Sequence, residues 1–158
     1  MAERSALYSF GKGLLRPFYK ILFRYRCTNP NSLPETGKCF VCSNHVSAND
    51  PLFIGLTQKR QIKFMAKQEL FKNPILAKIL TMVGAFPVNR GSGDGKAINS
   101  ALELLENEQV MGIFFEGTRS KTGELLRPRA GAALIAFQTK SDILPCCITP
   151  ENSQVKIF

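Results

Sequence analysis

The chain has 158 residues, 44% of them hydrophobic and 21% charged, with 12 Gly, 9 Pro and no Trp. That length and apolar fraction exclude a disordered or low-complexity chain and predict one domain with a real core. The formal net charge of +9 points to an anionic partner: nucleic acid, an acidic membrane surface or a phosphorylated substrate.

More than half of that charge lies in residues 1–26, where Arg4, Lys12, Arg16, Lys20, Arg24 and Arg26 stand against one acid, Glu3. On a helical wheel, residues 7–26 put Leu7, Phe10, Leu14, Leu15, Phe18, Ile21, Leu22 and Tyr25 on one side and Lys12, Arg16, Lys20 and Arg24 on the other. Pro17 is expected to kink or split this helix. No run reaches the roughly 18 apolar residues of a membrane span, and no apolar stretch with a cleavage site marks a secretory signal. The pattern is that of an amphipathic helix lying among anionic headgroups, where each Lys or Arg contributes about 1 kcal/mol. A helix packed on the domain with a solvated basic face is the plainer alternative. Nucleic acid is not expected as a partner, because the aromatics lie opposite the bases and no recognised binding motif occurs. Residues 1–27 are therefore read as a membrane-docking segment and 28–158 as the main domain.

After a turn-rich stretch over 28–37, short apolar strands alternate with helices. Strands are predicted at 39–43, 62–66, 85–88, 110–115, 143–148 and 155–158, and helices at 51–57, 74–83, 95–107 and 131–139, the third capped by Asp94. Such alternation predicts an α/β fold with a mostly parallel central sheet flanked by helices. The Gly-rich loop over 90–96 has neither the Walker spacing nor a GxGxxG pattern and reads as a strand-to-helix connection.

Cys27, Cys39, Cys42, Cys146 and Cys147 make an odd set without a secretory signal, which favours reduced thiols in a cytosolic compartment. The spacing Cys39-x-x-Cys42-x-x-His45 has the look of a zinc site. On a strand, however, residues three apart point to opposite faces, so no metal site is expected and buried core thiols are.

Two segments directly after predicted strands carry the chemistry, where α/β proteins place their ligands. The first is Ser43-Asn-His-Val-Ser-Ala-Asn-Asp-Pro51, which holds the only histidine. Asp50 is able to poise His45 as a general base if the chain turns between them. It is equally suited to cap a helix that starts at Pro51. A thiol mechanism pairing Cys42 with His45 is a further alternative. The second segment is Phe114-Phe-Glu-Gly-Thr-Arg-Ser-Lys121. Its Gly117-Thr118 turn and Arg119 suit a phosphate monoester, with Glu116 placed to orient the arginine or a substrate hydroxyl. Arg90 supplies a second strand-end cation.

Asn44-His45-x-Ser47-x-x-Asp50, Gly84-x-Phe86-x-x-x-Arg90, Phe114-x-Glu116-Gly117-Thr118-Arg119-Ser120 and Ile143-Leu-Pro145 occur in that order. This series resembles the four blocks of the glycerolipid acyltransferases, above all the bacterial 1-acylglycerol-3-phosphate acyltransferases. Ala66-Lys67-x-Glu69-Leu70 and Arg129-Ala-Gly131-Ala132 resemble their flanking segments. The resemblance implies a glycerol-3-phosphate acyltransferase-like fold and transfer of a fatty acyl group to the sn-2 hydroxyl of lysophosphatidate. It implies His45 as general base, Asp50 as its support, and Arg119 with Gly117 and Thr118 on the acceptor phosphate. Arg90 and Lys67 add charge, and Glu116 sits on the acceptor side. The co-substrate is an acyl-CoA or acyl carrier protein thioester, with no other cofactor and no metal, and the chain is expected at the cytoplasmic face of the cell membrane. Another acceptor (glycerol 3-phosphate or a lysophospholipid) and a noncatalytic anionic-lipid module are the alternatives. Two departures stand out: Phe115 holds a position usually taken by proline, and the chain is expected to be short at its C-terminal end.

Overall fold

The computed structural model describes residues 6–88, 95–149 and 154–157. Strands β1 (Arg26–Cys27), β2 (Cys39–Ser43), β3 (Ile62–Lys67), β4 (Ala85–Val88), β5 (Val110–Phe114), β6 (Asp142–Thr149) and β7 (Gln154–Ile157) form one sheet in the order β1-β7-β6-β2-β5-β3-β4. Every neighbouring pair is parallel except β6 and β7. The helices are α1 (Ala6–Phe23), α2 (Asp50–Thr57), α3 (Pro74–Met82), α4 (Gly95–Glu106) and α5 (Ala130–Thr139), with a 3-10 turn over Gln68–Lys72.

Alternation along the strands builds two cores. In β2, Cys39 and Val41 join Phe53, Ile54 and Ile62 on the side of α2. Phe40 and Cys42 face the other way and meet Leu105, Met111 and Ile135 on the side of α4 and α5. Cys39 and Cys42 therefore lie on opposite sides of the sheet, and the two do not serve one metal ion. Helix α3 starts at Pro74, and the Asn73 side chain caps it by accepting from the Ile75 and Leu76 amides at 3.0 and 3.1 Å.

The N-terminal helix differs from its wheel in three ways. Pro17 does not divide it, since α1 runs through that position as one helix. The loss of one i→i−4 bond there is carried by the turns on either side and by Leu15 and Tyr19, which straddle it on the docked face. Second, the apolar side is split. Tyr8 and Gly11 are buried, Leu15, Tyr19 and Phe23 half-buried, whereas Phe10 is 72% exposed, Phe18 57% and Ile21 79%. The Tyr19, Phe23 and Tyr25 rings surround Phe53 with centroids 5.4–5.9 Å away. Third, helix gives way before residue 26: Tyr25 joins the core, and Arg26 and Cys27 pair with Gln154 and Val155 of β7.

β2 lies at the centre of the sheet. The chain leaves it to build β3 and β4, returns to place β5 beside β2, and then crosses to add β6 on the other side. The crevice at the C-terminal ends of β2 and β5 is thus the switch point where open α/β sheets bind ligands. The sheet also forks there. β3 pairs with β5 only from Ile62↔Val110 to Phe64↔Gly112. Beyond that point Met65–Lys67 pair only with β4, and Ile113 and Phe114 only with β2. Gly112 sits at the crotch, where a Cβ would collide with the Phe64 ring. We predict that Gly112→Ala destabilises the fold by about 1–3 kcal/mol in denaturant titration, through overpacking. Adding Phe64→Leu recovers part of that loss.

Candidate active site

His45 follows β2 by two residues, and the chain there is held by side chains standing in for strand pairing. Asn44 donates from Nδ2 to the Ile148 carbonyl at 2.8 Å and accepts from the Ile148 amide at its Oδ1 at 2.7 Å. Its amide thereby continues the ladder between β2 and β6 by one step after the backbone has turned away. The His45 N–H donates to Glu116 Oε2 at 2.8 Å, and the His45 carbonyl accepts from the Ser120 amide at 2.8 Å. Both motif segments are therefore tied together through the backbone of the histidine itself.

The chain turns between His45 and Asp50 and brings the two side chains together. Asp50 is fully buried at the start of α2, and its Oδ2 lies 2.8 Å from His45 Nδ1. The same oxygen accepts from the Val46 and Ser47 amides, each at 2.7 Å. The capping position belongs to Asn49, whose side chain makes no capping bond and instead accepts from the Tyr19 hydroxyl of α1 at 3.2 Å. The Asp50 carboxylate thus faces back into the loop rather than onto the helix end. Phe114 supports the imidazole from below: the rings are stacked, with centroids 3.9 Å apart and planes 12° from parallel. Phe64 continues the stack at 5.6 Å from Phe114, over the space that Gly112 leaves.

Glu116 is 2% exposed, and both of its oxygens are engaged, Oε2 with the His45 amide and Oε1 with the Leu126 amide at 2.7 Å. Its carboxylate fixes the backbone of the histidine and of the loop before α5. The sequence places it to orient Arg119 or a substrate hydroxyl; in the structure its two oxygens have these backbone partners. Gly117 takes a left-handed φ of +72°, and Thr118 and Arg119 are exposed on the same turn. Lys67 is exposed at the end of β3. Arg90 and the cap Asp94 lie outside the described residues.

The sheet fork opens into a cavity of about 410 Å3, inside the size range of small-molecule pockets. His45 and Gly117 stand on its wall, and Met65, Ile98, Ile113, Ala132 and Ile135 make its lining largely apolar. Arg129 lines it too. It lies just before α5, with its amide donating to the Phe115 carbonyl at 2.7 Å and its side chain passing over Gly117, where an added Cβ would sit 3.2 Å from Arg129 Cγ. Sequence reasoning noted Arg129 only as part of a flanking segment. Its nearness to His45 depends on a loop of about ten residues returning to the turn, for which spacing gives no signal. Burial pushes the Cys42 thiol up to about 11, which disfavours the thiolate that a Cys42 nucleophile needs, and the His45 ring pairs with Asp50 instead.

The acyltransferase family profile matches residues 24–149. The 1-acyl-sn-glycerol-3-phosphate acyltransferase of Bacillus subtilis is 28% identical over 153 residues, covering 96% of this chain and 76% of that protein. The enzyme of the same name from Borreliella burgdorferi is 28% identical over 128 residues, and there this chain spans only 51% of the relative's length. A chloroplastic protein of that name from Arabidopsis thaliana is 32% identical over 131 residues, 82% of this chain and 36% of the relative. The crystal structure of the 1-acyl-sn-glycerophosphate acyltransferase PlsC from Thermotoga maritima superposes on the whole chain and 72% of its own, with TM-score 0.74 at 23% identity, and shares the fold. With the profile covering most of its length, the chain belongs to the acyltransferase family.

Proposed function

We propose that this chain transfers a fatty acyl group from an acyl thioester to the sn-2 hydroxyl of 1-acylglycerol 3-phosphate, giving phosphatidate. The observation that carries the reading is the 2.8 Å contact of His45 Nδ1 with the buried Asp50 carboxylate, on the wall of a largely apolar cavity. Relatives named for this reaction over most of the chain support it. Asp50 accepts from Nδ1–H and so selects the tautomer whose Nε2 lone pair acts as base. Nε2 takes the proton of the acceptor hydroxyl as that oxygen attacks the thioester carbonyl carbon, and Asp50 stabilises the imidazolium formed. Collapse of the tetrahedral intermediate breaks the carbon–sulfur bond, and the departing thiolate takes the proton from His45. A direct displacement needs no nucleophile from the protein. Ser47 accordingly serves the loop rather than the chemistry, its N–H on Asp50 and its Oγ accepting from the Asn49 amide at 3.2 Å.

In this reading the cavity receives a fatty acyl chain, and the donor is a coenzyme A or acyl carrier protein thioester. Gly117, Thr118 and Arg119 face the acceptor phosphate, with Lys67 and Arg90 adding positive charge, while Glu116 acts by holding the backbone. Because the acceptor is a lipid, the chain works at a membrane surface, on the cytoplasmic face where its five free cysteines stay reduced. No described helix is long and apolar enough to cross a membrane. The exposed stripe of Phe10, Leu14, Phe18 and Ile21 beside the exposed Arg16, Lys20 and Arg24 suits shallow insertion among anionic headgroups. Ile75 and Ile79 of α3 are exposed as well, and α3 meets α1 where Met82 packs against Gly11.

His45→Ala is expected to lower acyl transfer to lysophosphatidate by about 10²-fold or more while thermal unfolding stays cooperative. Full activity in that variant, or transfer only to glycerol 3-phosphate in the unaltered protein, contradicts the assignment. Phe18→Asp with Ile21→Asp is expected to release the protein from anionic vesicles in a sedimentation assay without loss of fold, since both side chains are exposed. Undiminished binding would remove α1 as the docking surface.

A further inference from the structure

We propose that Tyr19 is a positioning residue for acyl transfer, whose hydroxyl holds Asn49 and through it the turn that brings His45 onto Asp50. The inference rests on the acyl-transfer reading above and makes the docking helix part of the active-site frame. The Tyr19 hydroxyl donates to Asn49 Oδ1 at 3.2 Å, across 30 positions of sequence. Asn49 stands where the turn becomes α2. Its N–H donates to Ser47 Oγ, and its carbonyl accepts from the Leu52 and Phe53 amides, each at 2.9 Å. Ser47 in turn gives its own N–H to Asp50 Oδ2, the oxygen that meets His45 Nδ1. The partner of the tyrosine is thus the residue next to the carboxylate, bonded to one of those that hold it.

Asn49 gives up a local preference to make this contact. Asparagine is among the favoured helix caps, with extended backbone and a side-chain oxygen on an amide of the first turn. Here its backbone is helical, at φ −85° and ψ −6°, and its side chain makes no capping bond. It faces α1 instead. The tyrosine is fixed as well, its ring centroid 5.1 Å from that of Phe23 and 5.9 Å from that of Phe53. Tyr19 therefore touches α2 twice, with its ring on Phe53 and its hydroxyl on the residue whose carbonyl binds the Phe53 amide. Burial pushes its pKa above the usual tyrosine value, which keeps the hydroxyl a donor at working pH. Phe18 and Ile21 point outward from the same turn of α1, 57% and 79% exposed. One turn thus presents apolar docking residues on one side and a hold on the catalytic turn on the other.

The test compares the full chain with Tyr19→Phe, Asn49→Ala and the double variant. Phenylalanine keeps the ring contacts and removes only the donor. Each single variant is expected to lower kcat on lysophosphatidate about tenfold, with KM for both substrates, sedimentation with anionic vesicles and thermal unfolding little changed. The double variant falls no further than either single one, because both remove the same contact. 15N NMR of the single histidine reads the tie without turnover: in Tyr19→Phe the neutral ring loses part of its preference for a proton on Nδ1. An unchanged kcat or tautomer in Tyr19→Phe, losses that multiply in the double variant, or a fall that tracks weaker vesicle binding overturns the proposal. An unaltered chain that acylates no lysophosphatidate overturns the reading beneath it instead, and the NMR comparison then still decides the tie.

Discussion

The bond between His45 and the buried Asp50 carboxylate is the constraint around which the rest of the structure is arranged. A carboxylate with no exposure is costly unless donors surround it. Here one oxygen collects the imidazole and the Val46 and Ser47 amides, and Oδ1 is, among the described residues, the buried side-chain oxygen or nitrogen without a partner. A peptide turn that delivers two amides and a ring nitrogen to one atom has little freedom left. The loop is accordingly pinned at both ends, by Asn44 on Ile148 and by Pro51 entering α2. Tyr19 adds a third tie, linking the N-terminal helix directly to this loop through Asn49.

The sheet supplies a largely apolar cavity next to that polar pair. It does so by failing to stay paired. Where β3 turns to β4 and β5 to β2, the space between them opens through the sheet, and residues from both of its faces line one cavity. Gly112 allows Phe64 to lie across the crotch, and the stack from Phe64 through Phe114 to His45 turns the rim of the fork into the floor beneath the imidazole. The apolar cavity and the His45–Asp50 pair thus share a wall.

Much of this was legible in the sequence, for local reasons. Short apolar runs placed β2 and β5, the period of two along a strand sent Cys39 and Cys42 to opposite cores, and the helix expected from residue 74 starts at Pro74. His45 and Asp50 stood out because one histidine occurs and a turn was needed to bring a carboxylate to it. What escaped depends on register and distant pairing. β1 is two residues long and exists because β7, more than 120 residues later, offers it a partner. The fork follows from which neighbour each half of β3 chooses, and alternation is the same in either case. Glu116 gave the signal of a charged site residue, yet its oxygens serve two backbone amides. Arg129 carried no spacing signal because its position is set by a returning loop. The continuous helix through Pro17 reflects tertiary docking of Tyr8, Leu15, Tyr19 and Phe23, which outweighs one lost backbone bond.

The central claim is that Asp50 sets the protonation geometry of His45. Since the chain contains a single histidine, 15N-histidine labelling gives one imidazole whose two nitrogens are read by NMR without assignment. Once the ring is neutral, the account predicts a proton on Nδ1 and an unprotonated Nε2, with that preference lost in Asp50→Asn. A neutral ring carrying its proton on Nε2, or a tautomer indifferent to Asp50→Asn, would contradict it.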